Sequence, residues 1–254
     1  MWPEEMRGLP NAFARSALFT VANTRKGARE NFKRKQIASV NGITISYTGE
    51  ELRQDDEDVF LQILHISRFY ELGTFVQFTA YSMLKELGWT TNSASYKRLI
   101  DCLDRLKATS ITVTLDLPSG VQRGYAGSLI RAFRWKQEAE DAPLRQWQIL
   151  LEKEIVSLFG PTDYSRLEWR TRLQLPPLAK WLHSFYYTHR EPVPYSVAKL
   201  KTLTGSEIKQ LYQFRYKLKQ ALELLVEKQF FTTAHIDSRS DLVFVERNLR
   251  RMST

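Results

Sequence analysis

Residues 196–247 read SVAKLKTLTGSEIKQLYQFRYKLKQALELLVEKQFFTTAHIDSRSDLVFVER. The stretch predicts a short helix over 196–203, with Val197, Leu200 and Leu203 turned inward at helical spacing. Gly205-Ser206 supplies a turn and the next N-cap. A long helix follows from about 207 to 228, with Ile208, Leu211, Phe214, Leu218, Leu222 and Leu225 on one side. Strands are expected at 229–236 and 242–247, joined by the polar turn Asp237–Asp241.

The same order is legible upstream. Thr79 caps a helix carrying Tyr81, Met83, Leu84 and Leu87, which Gly88 ends. Asn92 or Ser93 caps the next helix, with Leu99, Leu103 and Leu106 on one face, and Ile111–Leu115 reads as a strand. Leu99, Leu103, Leu106 and Ile111 match Leu218, Leu222, Leu225 and Phe230 at a constant offset. A helix, a glycine stop, a longer helix and a hairpin form the winged-helix plan, and here it occurs twice. The expected fold is therefore α+β, two tandem winged-helix domains related by a pseudo-repeat. The expected divisions are a basic N-terminal arm over 1–35, a first domain over 36–152 and a second over 153–254.

Other segments fill in the plan. Ile37–Val40, Asn41-Gly42 and Ile43–Tyr47 read as a hairpin with a type I′ turn. Residues 55–71 read as a helix whose acids, Asp55, Asp56, Glu57 and Asp58, suit dipole and capping partners more than a divalent-ion site. Strand-like segments lie at 128–135 and 146–151 around a polar loop, Lys136–Arg145, and helices are expected at 153–159 and 177–189.

The chain has 254 residues, 37 basic and 28 acidic, giving a net charge of +9 that favours an acidic partner. The excess is local. Arg7, Arg15, Arg25, Lys26, Arg29, Lys33, Arg34 and Lys35 face one acid, Glu30, over residues 7–35. Arg25, Lys26, Arg29, Lys33, Arg34 and Lys35 suit a flexible basic arm on a DNA backbone or minor groove, or a solvated loop. On the long helix, stepping 100° per residue from Leu211 puts Lys209, Gln213, Tyr216, Lys217 and Gln220 opposite the core, flanked by Gln210 and Tyr212. No carboxylate interrupts the helix between Glu207 and Glu223. Gln suits an adenine edge, Lys a guanine edge or phosphate, and Tyr a phosphate. Arg215 lies nearer the buried edge, as a phosphate contact or a core-rim side chain. On the first-half helix, Lys97, Arg98, Asp101, Asp104 and Arg105 fall opposite Leu99. Its two acids repel phosphate, which leaves Asn92, Ser93, Lys97 and Arg98 as the DNA-facing end. Arg123 and Arg239 sit near the expected wing tips.

Several chemistries are excluded. One cysteine, Cys102, rules out an intrachain disulfide framework and a multi-cysteine zinc site. No Gly-x-x-x-x-Gly-Lys-Ser/Thr loop is present. His65, His183, His189 and His235 lack metal-ligand spacing, so no catalytic residue, metal or cofactor is expected, and a nicking tyrosine has no histidine or acid metal cluster to serve it. No apolar run approaches the roughly 18 residues of a membrane span, and the start lacks a signal-peptide plan, so a cytoplasmic protein with no membrane partner is expected.

NAFARSALFT at 11–20, ISYTGEELRQDD at 45–56, Leu87-Gly88-Trp89, CLDRLKAT at 102–109 and SFYYTHREP at 184–192 resemble the TrfA family of plasmid replication initiator proteins. The resemblance runs in order over most of residues 2–250. It implies two winged-helix domains that bind double-stranded iteron repeats, help open an A·T-rich segment and recruit the host initiator, the replicative helicase and the sliding clamp. It implies a monomer–dimer equilibrium in which monomers bind DNA and the first domain serves dimerisation. In longer members a Gln-Leu-x-Leu-Phe clamp-binding motif lies just ahead of the region matching Trp2. A winged-helix transcriptional repressor is the alternative reading. A repressor usually dimerises on a palindrome, whereas two unequal reading helices suit a monomer on a direct repeat.

Overall fold

The computed structural model describes residues 2–23, 27–116, 119–136 and 146–248. In chain order the elements are β1 (Met6–Pro10), α1 (Asn11–Ala14), β2 (Phe19–Thr20), β3 (Asn31–Ile37), β4 (Ile43–Glu50), β5 (Leu52–Arg53) and α2 (Gln54–Ser67). Then come β6 (Val76–Phe78), α3 (Ala80–Glu86), α4 (Ser93–Lys107), β7 (Ser110–Asp116), β8 (Gln122–Gly127), β9 (Ala132–Lys136) and β10 (Gln146–Leu150). A 3-10 helix (Lys153–Leu158) leads to β11 (Tyr164–Glu168), α5 (Trp169–Leu173), α6 (Pro177–Tyr187), β12 (Tyr195–Ser196), α7 (Val197–Leu203), α8 (Leu211–Glu227), β13 (Phe231–Ile236) and β14 (Leu242–Arg247). The fold is α+β.

Two stretches repeat one topology. In the first, α2, β6, α3 and α4 precede the β9–β10 hairpin, and the sheet order is β6-β10-β9. In the second, α6, β12, α7 and α8 precede the β13–β14 hairpin, and the sheet order is β12-β14-β13. The β7–β8 hairpin is inserted after α4 and joins a separate sheet, β3-β4-β7-β8. The pseudo-repeat therefore holds for Leu99, Leu103 and Leu106 against Leu218, Leu222 and Leu225, all buried. It fails at Ile111, which sits on the inserted strand and not on the counterpart of β13.

The caps form largely as the residue types dictate. Thr79, Asn92 and Ser196 side chains accept from the backbone of Ser82, Ser95 and Lys199 at 3.0, 2.9 and 3.1 Å. Gly88 and Gly205 take left-handed φ of +66° and +60° after their helices. The long helix starts later than expected, at Leu211, because Gln210 and not Ser206 is its N-cap residue. The segment at 153–159 winds as a 3-10 turn. The hairpin around Asn41-Gly42 exists, but its loop is wider than a two-residue turn. Residues 38–40 leave β4 to bond Arg15 and Ala17 of the N-terminal segment instead.

The expected arm over 1–35 is not a separate unit. β1 pairs antiparallel with β11, Met6 opposite Glu168 and Pro10 opposite Tyr164. Leu9, Phe13, Leu18 and Phe19 are buried in the first core, and β3 is a sheet strand. The first core reaches Trp169 and the second begins at Leu175, so the divide falls after the expected 152/153 boundary. The 3-10 helix gives Ile155 and Leu158 to the first core.

The acids at the start of α2 are dipole and capping partners, with Asp56 accepting from Arg53 N at 2.8 Å, and they are also buried. Asp55, Asp56, Glu57 and Asp58 are at most 2% exposed. Arg29 reaches Asp55 at 3.2 Å and Asp56 at 2.6 Å, Arg98 reaches Asp55 at 3.3 Å, and Arg105 reaches Asp56 at 2.8 Å. From the second half, Arg172 reaches Glu57 at 2.9 Å and Asp58 at 2.8 Å, and Lys180 also pairs with Asp58. Burial opposes the charge on Arg172, but Glu57 and Asp58 outweigh it and raise its pKa.

Arg172→Ala strands Glu57 and leaves Asp58 with Lys180 alone, so it is expected to cost about 3–5 kcal/mol by urea unfolding. His183 is fully buried, and desolvation with nearby Arg172 and Arg247 lowers its pKa from 6.5 to about 3. The unfolded chain therefore binds the extra proton between those values, and stability falls as pH drops below 6.5. His183→Phe is expected to remove up to about 1.4 kcal/mol of that loss per pH unit, measured by unfolding at stepped pH.

Candidate nucleic-acid interface

α8 is fixed by one face. Phe214, Leu218, Ala221, Leu222 and Leu225 are buried against α6, α7 and β13. The opposite face is in solvent: Tyr212 is 65% and Tyr216 62% exposed, and Gln213, Lys217 and Gln220 are exposed with them. Two large aromatic side chains left in water on a well-anchored helix call for a partner. Gln220 Nε2 donates to the Tyr216 hydroxyl at 3.1 Å, and Gln213 Nε2 to the Tyr212 hydroxyl at 3.3 Å. Lys209 and Gln210 are exposed in the segment leading into the helix.

The turn before α8 is held by the first half. Val21 N donates to Thr204 O at 3.1 Å, and a Cβ on Gly205 would lie 2.8 Å from the Thr20 side chain. Arg53, buried, stands 4.0 Å from Glu207, the last carboxylate before the helix face. The α8 face is thus presented from a braced base.

Other expected contacts divide. Arg239 is exposed in the β13–β14 turn. Arg215 donates from Nε to Asp241 Oδ1 at 2.8 Å, tying α8 to that turn, and the Asp241 hydrogen bond raises its pKa. Asp241 has φ of +55° and was not expected to have a role; the polar Asp237–Asp241 turn was its only signal. On α4, Asn92, Ser93 and Lys97 are exposed, as are Asp101 and Asp104. Arg98 and Arg105 are not on that outer face: they roll toward Asp55 and Asp56, and Arg98 also lies 3.8 Å from the Trp89 ring centroid. Arg123 lies near the tip of the β7–β8 hairpin, as expected, but that hairpin is the inserted one and not the counterpart of β13–β14, and the Arg123 guanidinium is paired with Asp163. Lys33, Arg34 and Lys35 are exposed on β3, a strand and not a loose arm, whereas Arg29, expected with them, is turned inward onto Asp55 and Asp56. Arg34 sits at a bulge with φ of +51°, and Lys35 Nζ lies 3.6 Å over the Phe32 ring. Arg25 and Lys26 lie outside the described residues, as does most of the Lys136–Arg145 loop.

Two other features resemble small-molecule or metal sites without the chemistry. A groove of about 650 Å³ beside α8 is lined by Pro176, Pro177, Leu178, Ile208 and Leu224, with Glu207 and Lys217 its charged groups. Asp55, Asp56 and Cys102 bring three ligand-type atoms within 4.8 Å of one another, but three guanidinium groups already occupy the carboxylates. Burial, then Asp56 and Asp55, push the Cys102 thiol well up, so it stays protonated.

The model of the TrfA protein family matches residues 1–247. The chain belongs to the TrfA family. It is 34% identical over 226 residues to the plasmid replication initiator protein TrfA of Escherichia coli, across 88% of this chain. The match covers 58% of that relative, so this TrfA-family chain spans just over half of its length. Its fold is similar to a selenomethionine crystal structure of RctB domains 2 and 3, with a TM-score of 0.64 and 12% identity, covering 94% of this chain and 99% of that one. A second structure of RctB domains 2–3 gives a TM-score of 0.59 at 12% identity, covering 89% and 92%. No helix among the described residues is long and apolar enough to cross a membrane.

The geometry separates a structural arginine from an exposed lysine. Arg98→Ala is expected to lower stability by about 1–3 kcal/mol, since it uncovers Asp55. Lys97→Ala, one residue away and exposed, should leave the free energy of urea unfolding within about 0.5 kcal/mol of the parent.

Proposed function

We propose that this chain is the DNA-binding module of a plasmid replication initiator, built from two winged-helix units. Each unit is the repeated helix–strand–helix–helix–hairpin stretch, with its hairpin as the wing. α8 lies in the major groove of duplex origin repeats (iterons), and the wing turn with Arg239 follows the adjacent backbone. Bound in tandem at an origin, the protein promotes opening of an A·T-rich segment and recruits the host initiator, replicative helicase and sliding clamp. It works in the cytoplasm by binding, without catalysis, and a monomer–dimer equilibrium sets how much binds.

The observation that carries this reading is the exposed α8 face. Tyr212, Gln213, Tyr216, Lys217 and Gln220 share it, and no carboxylate separates Glu207 from Glu223 to repel phosphate. Family membership supports the plasmid origin as the target, which charge alone does not reach. The unequal helices support a direct repeat over a palindrome: α4 presents Asp101 and Asp104 to solvent, while α8 presents none on its reading face.

Footprinting on the origin of the parent replicon tests the target: protection of direct repeats is expected, and protection of a palindrome alone would favour a repressor. Lys209→Ala with Lys217→Ala should weaken binding and lower the salt slope by roughly one to two units. Unchanged affinity and slope would remove α8 from the interface.

A further inference from the structure

Tyr216 and Gln220 are one helical turn apart and meet on the surface of α8. The hydrogen bond from Gln220 Nε2 to the Tyr216 hydroxyl engages one amide N–H. The amide Oε1 and the second N–H have no other partner among the described residues. The amide is therefore presented to solvent with one acceptor and one donor side by side, on a helix whose buried face fixes its backbone.

Of the four bases, adenine alone offers a donor beside an acceptor in the major groove, at N6 and N7. Guanine offers two acceptors, cytosine a donor, and thymine an acceptor and a methyl group. We propose that Gln220, oriented by Tyr216, is a specificity-determining residue that reads an adenine in the bound duplex. The inference rests on the reading of α8 as the DNA-facing helix. Tyr216 is a positioning residue: by accepting from Gln220 it fixes the amide rotamer, and its own proton remains to donate to phosphate or base. An amide ordered before binding loses less rotamer freedom on contact. Gln213 also donates to a tyrosine hydroxyl, that of its sequence neighbour Tyr212, about 10.5 Å earlier along the helix at 1.5 Å per residue, on the order of three base-pair steps.

The test is duplex selection from a random-core library with the full chain, followed by 7-deazaadenine substitution at each adenine of the selected sequence, which removes N7 alone. For the parent chain, substitution at the Gln220-read pair should weaken binding roughly 5- to 100-fold. With Gln220→Ala the same substitution should cost less than about 2-fold, and the other positions should keep their penalties. Tyr216→Phe keeps the ring and should reduce the preference at that same pair. Gln220→Glu should shift that pair toward cytosine, an outcome that loss of structure does not produce. The proposal is overturned if Gln220→Ala binds selectively with every adenine penalty intact while Lys209→Ala with Lys217→Ala still weakens binding. If that lysine pair leaves binding unchanged, the reading of α8 fails first and takes the proposal with it.

Discussion

Four consecutive carboxylates at the start of α2 lie in the interior, and the fold is arranged around neutralising them. A buried carboxylate loses several kcal/mol of hydration, which only close, well-hydrogen-bonded cations offset. The cations come from distant parts of the chain: Arg29 before β3, Arg98 and Arg105 on α4, Arg172 on α5 and Lys180 on α6. Asp55 and Asp56 bind the first half together, and Glu57 and Asp58 reach α5 and α6, where the second core begins. One helix start thus joins both apolar clusters, helped by the β1–β11 pair and by Trp181 Nε1 donating to Ser16 O at 3.0 Å.

This interior demand decides what remains on the surface. Arg29, Arg98 and Arg105 are drawn inward, so α4 keeps Lys97 outside beside two exposed acids. α6 carries the inward-facing Lys180, whereas α8 contributes nothing to the network and its polar face is free for a partner. Two units of the same topology thereby acquire unequal outer helices, for reasons that lie in the packing of the interior.

Local rules read well from the sequence. The caps at Thr79 and Asn92, the glycine stops at Gly88 and Gly205, and the inward leucines of α4 and α8 each depend on neighbours within a turn. The exposed face of α8 was legible for the same reason, since Phe214, Leu218 and Leu222 fix its rotation. Long-range pairing was not legible. Met6–Pro10 is ordered by a strand some 160 residues away, which no local pattern reports. The acids of α2 read correctly as dipole and capping partners, but charge in a sequence carries no sign of burial, so their ion-pair network went unread. Arg98 and Arg105 were placed outward by a 100° projection centred on Leu99, whereas Asp55 and Asp56 draw both toward the interior side. The β7–β8 insertion hid the true counterpart of β13, because Ile111 and Phe230 match as residues while their strands join different sheets.

The central claim, that α8 is the principal helix reading the duplex, is open to directed cleavage. Cys102 is buried, so a single cysteine introduced at Tyr212 or at Asp101 can carry an iron–EDTA label. Strand cleavage within the bound repeat is expected from the label at Tyr212→Cys, with little from Asp101→Cys. Strong cleavage from Asp101→Cys and none from Tyr212→Cys would contradict the account.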